Sequence, residues 1–523
     1  MRHATRLAIV FAGLTLACAA GTTGAHEHAG GSDGPDHVGA HEHGAEVPAT
    51  VGALGVVHFE NSGSAAAQAP FIRGIKLLHS FEYPAARQAF REAARLDPEF
   101  ALAAWGEALT YNHTLWNEQD TVAARAALAR LGPTPEDRIA RGRTARERDY
   151  LASVEALYGT GDKATRNAAY CAALEAIVAR YPKDLDARAF HALSLLGLTT
   201  ARDHVNYMRA AAEAEIVYEA EKSHPGALHY MIHAYDDPVH APLGLRAARR
   251  YATVAPDAPH ARHMTAHIFF ALGLWKEAIA ANEASLRAAR QQGDPNYHAL
   301  LWLVYADLQE SRRPAAAELV RSVERDVAIS VGKENRLRLA FARATWLVET
   351  RDAGGVDADV PVDSTGVTSI GYFAMHDFAR GITAALAGDS GRARAALEQL
   401  QARIGSAHEQ LPGENSAWYD VTAPNELPEA RVLATALDGA VAFAAGRHGE
   451  GIARVREAIG STAGWEFEYG PPWSVKPLDE LLGELLLADG QKVEAAGAFQ
   501  RTLVIYPNRR LALEGLAAAR GAQ

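Results

Sequence analysis

The sequence predicts an all-α fold built from repeated helix pairs, and three observations carry that prediction. Alanine and leucine dominate the 523-residue chain and β-branched runs are few, which favours helix over strand. Small residues and prolines return at matching places in segments 34 residues long, the length of a two-helix unit. Two histidine pairs obey the same period: His229 and His233 return as His263 and His267. The i, i+4 spacing inside each pair puts both imidazoles on one helix face.

The length is too great for one simple core, so several domains or one extended array are expected. A net charge of −11 leaves no electrostatic footprint for nucleic acid. The arginine-rich stretch at 138–150 therefore reads as a solvated helix face.

Residues 1–25 read as an export signal. Arg2 and Arg6 precede an apolar run from Leu7 to Ala17 that is too short to span a bilayer. Two processing routes stand side by side. Leu14 to Cys18 loosely matches a lipobox, which would end the signal at residue 17 and make Cys18 the one membrane anchor; alternatively, cleavage follows Ala25. Either route implies a periplasmic or secreted protein. Cys171 is the other of the two cysteines, so the folded part holds no internal disulfide. Its surroundings read as core.

Residues 26–66 read as a disordered, histidine-rich tether with weak metal affinity. His26, His28, His41 and His43 form two His-Glu-His triplets, with His37 between them. Residues 67–350 read as a repeat array, 351–370 as a polar linker and 371–523 as further repeats.

The first unit, 67–100, carries Gly74, Leu77, Ala86, Phe90, Ala93 and Pro98 at positions 8, 11, 20, 24, 27 and 32. The unit at 476–509 carries Leu482, Gly483, Ala495, Phe499 and Pro507 in the same frame. Units at 374–407 and 432–465 fit through Gly381, Gly388 and Ala393, and through Gly439, Gly446 and Ala458. The histidine region supplies two more, 225–258 with Gly244, Ala248 and Pro256, and 259–292 with Ala266, Gly273, Trp275 and Ala278. This pattern resembles the tetratricopeptide repeat family. The resemblance implies an α-α superhelix of antiparallel helix pairs and is nearly silent on function.

In that family the first helix of each unit lines a concave groove. The resemblance puts His229 and His263 at groove position 5, and His233 and His267 at position 9. His260 falls at position 2, Asp236 and Asp237 at 12 and 13, and His79 and His113 at position 13 of their units. His298 begins the next first helix, and His224 reads as a cap neighbour or a ligand.

A helical i, i+4 histidine pair is a recurrent chelating element for first-row metals. The expected site comprises His229, His233, His263, His267, His260 and His298, with Asp236, His113 and His79 as further candidates. Asp236 reads either as a ligand or as a hydrogen-bond partner of an imidazole. All-imidazole ligation favours a transition metal, copper before zinc or iron, over magnesium or calcium. His229 is followed by Tyr230 rather than Glu, so no zinc-protease signature exists. Two function classes follow: an exported protein binding metal, or a peptide or small molecule, in its groove; or a copper- or iron-dependent oxidoreductase.

Overall fold

The structure is a computed structural model that describes residues 53–198, 203–330, 332–352, 359–408, 418–465 and 470–521. The signal segment with Cys18 and the His-Glu-His triplets lie outside the described residues. The described residues form 23 α-helices, and the strands among them are the short antiparallel pairing of Asn112–His113 with Glu118–Gln119. The fold is an all-α superhelix of tetratricopeptide-like helix pairs.

The helices fall where the repeat frame puts them. Ala65–His79 pairs with Tyr83–Leu96, Pro225–Tyr235 with Ala241–Val254, and Pro259–Ala271 with Trp275–Gln291. Gly371–Leu386 pairs with Ser390–Ser406, Glu426–Ala444 with His448–Ser461, and Leu478–Ala488 with Lys492–Ile505. One packing device recurs at both ends. A Cβ on Gly74 or Gly106 would come within 2.7 or 2.4 Å of the Phe90 ring, and one on Gly483 or Gly515 within 2.8 or 2.3 Å of Phe499. Absence of a side chain at those glycines lets a phenylalanine of the second helix sit between two first helices.

The tether boundary needs correction. Residues 53–64 carry no helix, as expected, yet Leu54, Val57 and Phe59 are buried. Phe59 packs against Phe71, Trp105 and Tyr150 at centroid distances of 5.5, 5.6 and 5.1 Å, and Val56 N–H donates to the Ser223 carbonyl. Three apolar residues suffice to bind an extended strap to the array, and helical periodicity does not reveal them.

The polar break is also pinned in its described part. Arg336 holds Asp363 and the Thr365 carbonyl, and Arg343 holds the Val360 carbonyl. Helices Lys333–Thr350 and Gly371–Leu386 on its two sides pack directly together, so the array runs through it without separating into two.

The last repeat turns back onto the histidine region. Trp275 Nε1 donates to the Asn508 carbonyl, and Asn508 Nδ2 to the Gly273 carbonyl. Gly273 has φ +63°, and a Cβ there would lie 2.0 Å from the Pro507 carbonyl. Beside this seam lies a buried ion network. Arg509 reaches Glu480 at 2.6 Å and Glu349 at 2.7 Å, and Lys476 reaches Glu480 at 2.8 Å. Lys476 also reaches Glu484 at 2.8 Å, so its ammonium is engaged within this network.

Removing one partner of such a network leaves an uncompensated buried charge. Glu480→Ala is expected to lower unfolding stability by about 3–5 kcal/mol. Burial pushes the Glu480 carboxyl up, but Arg509 and Lys476 outweigh it and hold it well below the usual value of 4.5. The gap between wild type and variant should therefore be full above pH 4.5 and shrink as the pH falls below it. Urea titrations across that range measure it.

Candidate metal centre

Two helices at the 34-residue spacing build the site. Pro225–Tyr235 and Pro259–Ala271 each open on proline, whose missing N–H costs nothing in the first turn. His224 caps the first of them, its Nδ1 accepting from the Ala227 N–H at 3.2 Å. His229, His233, His263 and His267 are all buried.

The pairs form two three-histidine sets. Ring nitrogens of His229, His233 and His260 lie within 4.8 Å of one another, and so do those of His263, His267 and His298. The third member of each set comes from the first turn of the next first helix. Helix Pro259–Ala271 lends His260 to the first set, and helix Tyr297–Gln309 lends His298 to the second. His260 is half-buried and His298 exposed, so the sets open to solvent on that side.

Hydrogen bonds on the far side of the rings decide where the protons sit. His267 Nδ1 lies 2.6 Å from Asp236 Oδ2, a carboxylate oxygen that can only accept from it. His263 Nδ1 lies 2.7 Å from Asn282 Oδ1, and the Asn282 amide nitrogen donates to the Ala278 carbonyl, so this oxygen also accepts. Both rings thus carry their proton on Nδ1. Their Nε2 lone pairs then face each other at 3.2 Å. In the first set His229 Nδ1 donates to the His79 carbonyl at 2.7 Å, and its bare Nε2 lies 3.1 Å from His233 Nε2.

The His263 and His267 lone pairs repel at 3.2 Å unless a cation lies between them. Burial holds His229 down to about 3 and pushes His263 well below the usual imidazole value, so neither of those two rings readily takes a second proton. A metal ion suits the spacing. Two nitrogens each about 2.0–2.1 Å from one ion, at a tetrahedral angle, stand roughly 3.3 Å apart. Neutral imidazoles with engaged Nδ1 protons are the usual form of such ligands.

The structure separates the remaining candidates by what they touch. Asp236 orients His267 rather than joining a set. His79 also lies outside both sets and contributes its backbone carbonyl. Its ring belongs to a third buried group, with Asp186 Oδ1 3.1 Å from His79 Nε2 and 3.4 Å from His224 Nε2. His224 Nδ1 already accepts a backbone N–H, so the proton of its neutral ring sits on Nε2, which lies 3.4 Å from Asp186 without completing a hydrogen bond. Asp186 and the Tyr230 hydroxyl hold the His79 ring in place, and a Cβ on Gly226 would come within 2.5 Å of it. His113 stacks on Tyr83 at 4.2 Å and pairs with Glu118, outside both sets. The groove count failed for His79 and His113 because a register position fixes the Cα and not the partner of the ring. Asp237 holds the turn at Val239 and His240.

Three neighbours of the sets were not legible in advance. Asn282 sits in an alanine-rich helix without any motif. Trp302 lies 4.4 Å from His267 and 5.0 Å from His263. Phe81 lies 4.2 Å from His229 and 5.5 Å from His260, and it holds a left-handed φ of 57°. A bulky residue in that region stores strain, which is commonest beside functional groups.

No protein-family model matches the chain, and no curated protein matches it. Solved structures do overlap it. The APC/C hetero-tetramer Cut9–Hcn1 is 11% identical over 88% of this chain and 78% of that one, with a TM-score of 0.34. Yeast Tom70 is 10% identical over 86% and 87%, with a TM-score of 0.31. The P58(IPK) TPR domain is 12% identical over 87% and 98%, with a TM-score of 0.20. At these scores the overlaps say nothing of activity or partner.

Nitrogen-labelled imidazole NMR of metal-free protein near neutral pH should show His263 and His267 as the Nδ1–H tautomer. A proton on Nε2 of either ring would remove the lone-pair clash and with it the case for a cation there.

Proposed function

We propose that this chain is a transition-metal-binding repeat protein holding two ions, one in each three-histidine set. The observation that carries the reading is the His263–His267 pair, with both Nδ1 protons engaged and both Nε2 lone pairs converging at 3.2 Å. An all-nitrogen, uncharged ligand set suits copper, zinc or iron and is a poor match for magnesium or calcium. The N-terminal segment is read as the export signal that would carry this metal protein out of the cytoplasm.

A second reading, a copper- or iron-dependent oxidoreductase, draws on one feature. Three protein ligands leave an open coordination position, and structural sites are usually closed. The exposed His298 and half-buried His260 put that opening toward solvent. A partner-binding groove, common among tetratricopeptide-like arrays, is compatible with either.

Elemental analysis of purified full-length protein tests the proposal. Wild type should hold two ions per chain beyond any taken up by the N-terminal histidine tract, which a variant without residues 26–43 measures. His263→Ala should lose one of the two. Asp236→Asn should weaken that ion by about 10–100-fold, because the His267 ring loses its charged orienting partner. Metal-free wild type at saturating copper and zinc would sink the reading.

A further inference from the structure

Resting on the two-ion reading, we propose that the two histidine sets act as one centre, closed by a small anion that bridges the ions. Proximity is the first ground. His233 and His267 belong to different sets, yet their ring centroids are 5.8 Å apart, and those of His260 and His263 are 6.4 Å apart. The two sets therefore adjoin ring to ring, close enough for one ligand of a few atoms to reach both.

Charge is the second ground. Six neutral imidazoles contribute no negative charge. Two divalent ions would bring four positive charges among side chains such as His229, His263 and His267, each at most 2% exposed. Asp236 hydrogen-bonds one ligand ring, and Glu82 accepts the His260 backbone N–H. Those two carboxylates balance half the charge at most. Uncompensated charge in a buried site is costly, and an anion placed between the ions is the most effective remedy. Each ion also keeps an open coordination position to receive it.

The walls are the third ground. Phe81 stands against the first set and Trp302 against the second, both through aromatic rings that offer an anion no donor along their faces. The ions are then the anchor for such a ligand. Trp116, about half exposed and 5.8 Å from His260, stands at the solvent side where a small anion would enter. The ligand class is hydroxide or another anion of one to three atoms, for which azide is the probe.

The test uses full-length protein lacking only its own metal, reloaded with copper(II) and titrated with azide. Wild type with two coppers should bind one azide per pair. Its copper EPR signal should fall well below its copper content, because bridged ions couple magnetically. His298→Ala and His260→Ala each remove an outer ligand from a different set and leave the buried pairs in place. Both variants, checked for unchanged helicity, should show full EPR intensity for the remaining ion and bind azide about tenfold more weakly or worse. Two bound coppers that both stay fully EPR-visible, with azide affinity equal in wild type and variants, would overturn the bridge. Uptake of fewer than two ions by wild type would instead overturn the metal reading beneath it.

Discussion

The far-side hydrogen bonds of the buried histidines govern what this protein can be. An imidazole has one proton to place when neutral, and its neighbours choose the nitrogen. Asp236, Asn282 and the His79 carbonyl each claim an Nδ1 proton, so the bare nitrogens of His263 and His267 face one another and His229 turns its own toward His233. Had Asn282 offered its amide nitrogen instead, His263 would carry its proton on Nε2 and could donate to His267. That pair would then form a quiet core network. In the neighbouring group the His79 ring finds such partners, with Asp186 on Nε2 and the Tyr230 hydroxyl on Nδ1.

Such a centre needs a rigid frame, and the repeat packing supplies it. Helix Pro225–Tyr235 is buried along its whole length and Pro259–Ala271 everywhere but at His260 and Arg262, and the contact near Asn508 braces the second of these helix pairs. The Arg509–Glu480–Lys476 network brings net charge into that seam and matches it there. A buried network of this kind costs as much as it gains unless its geometry is right, so its value lies in fixing one docking arrangement. Trp302 connects the two regions, since it lies against His263 and His267 and packs on Phe270 at 4.5 Å.

Much of the fold was readable from period alone. Gly74, Phe90 and Pro98 recur as Gly483, Phe499 and Pro507, and each helix pair appears where that frame requires. The four histidines of the two pairs were readable for the same reason: the i, i+4 spacing is a local property of one helix. The strap at 53–64 was not, because Leu54, Val57 and Phe59 follow no helical period. Phe81 was hidden as well, since an ordinary turn sequence gives no sign of a left-handed φ.

By itself the sequence determined the helical class, the repeat length and the shared face of each histidine pair, because these depend on residues within one or two turns. Tertiary structure alone decided that six histidines divide into two sets, with His260 and His298 crossing to the preceding unit. It also decided that His79 serves through its carbonyl and that His113 stands aside. Ring direction and proton position depend on partners up to 150 residues away, as His229 and His79 show, and no local period encodes them.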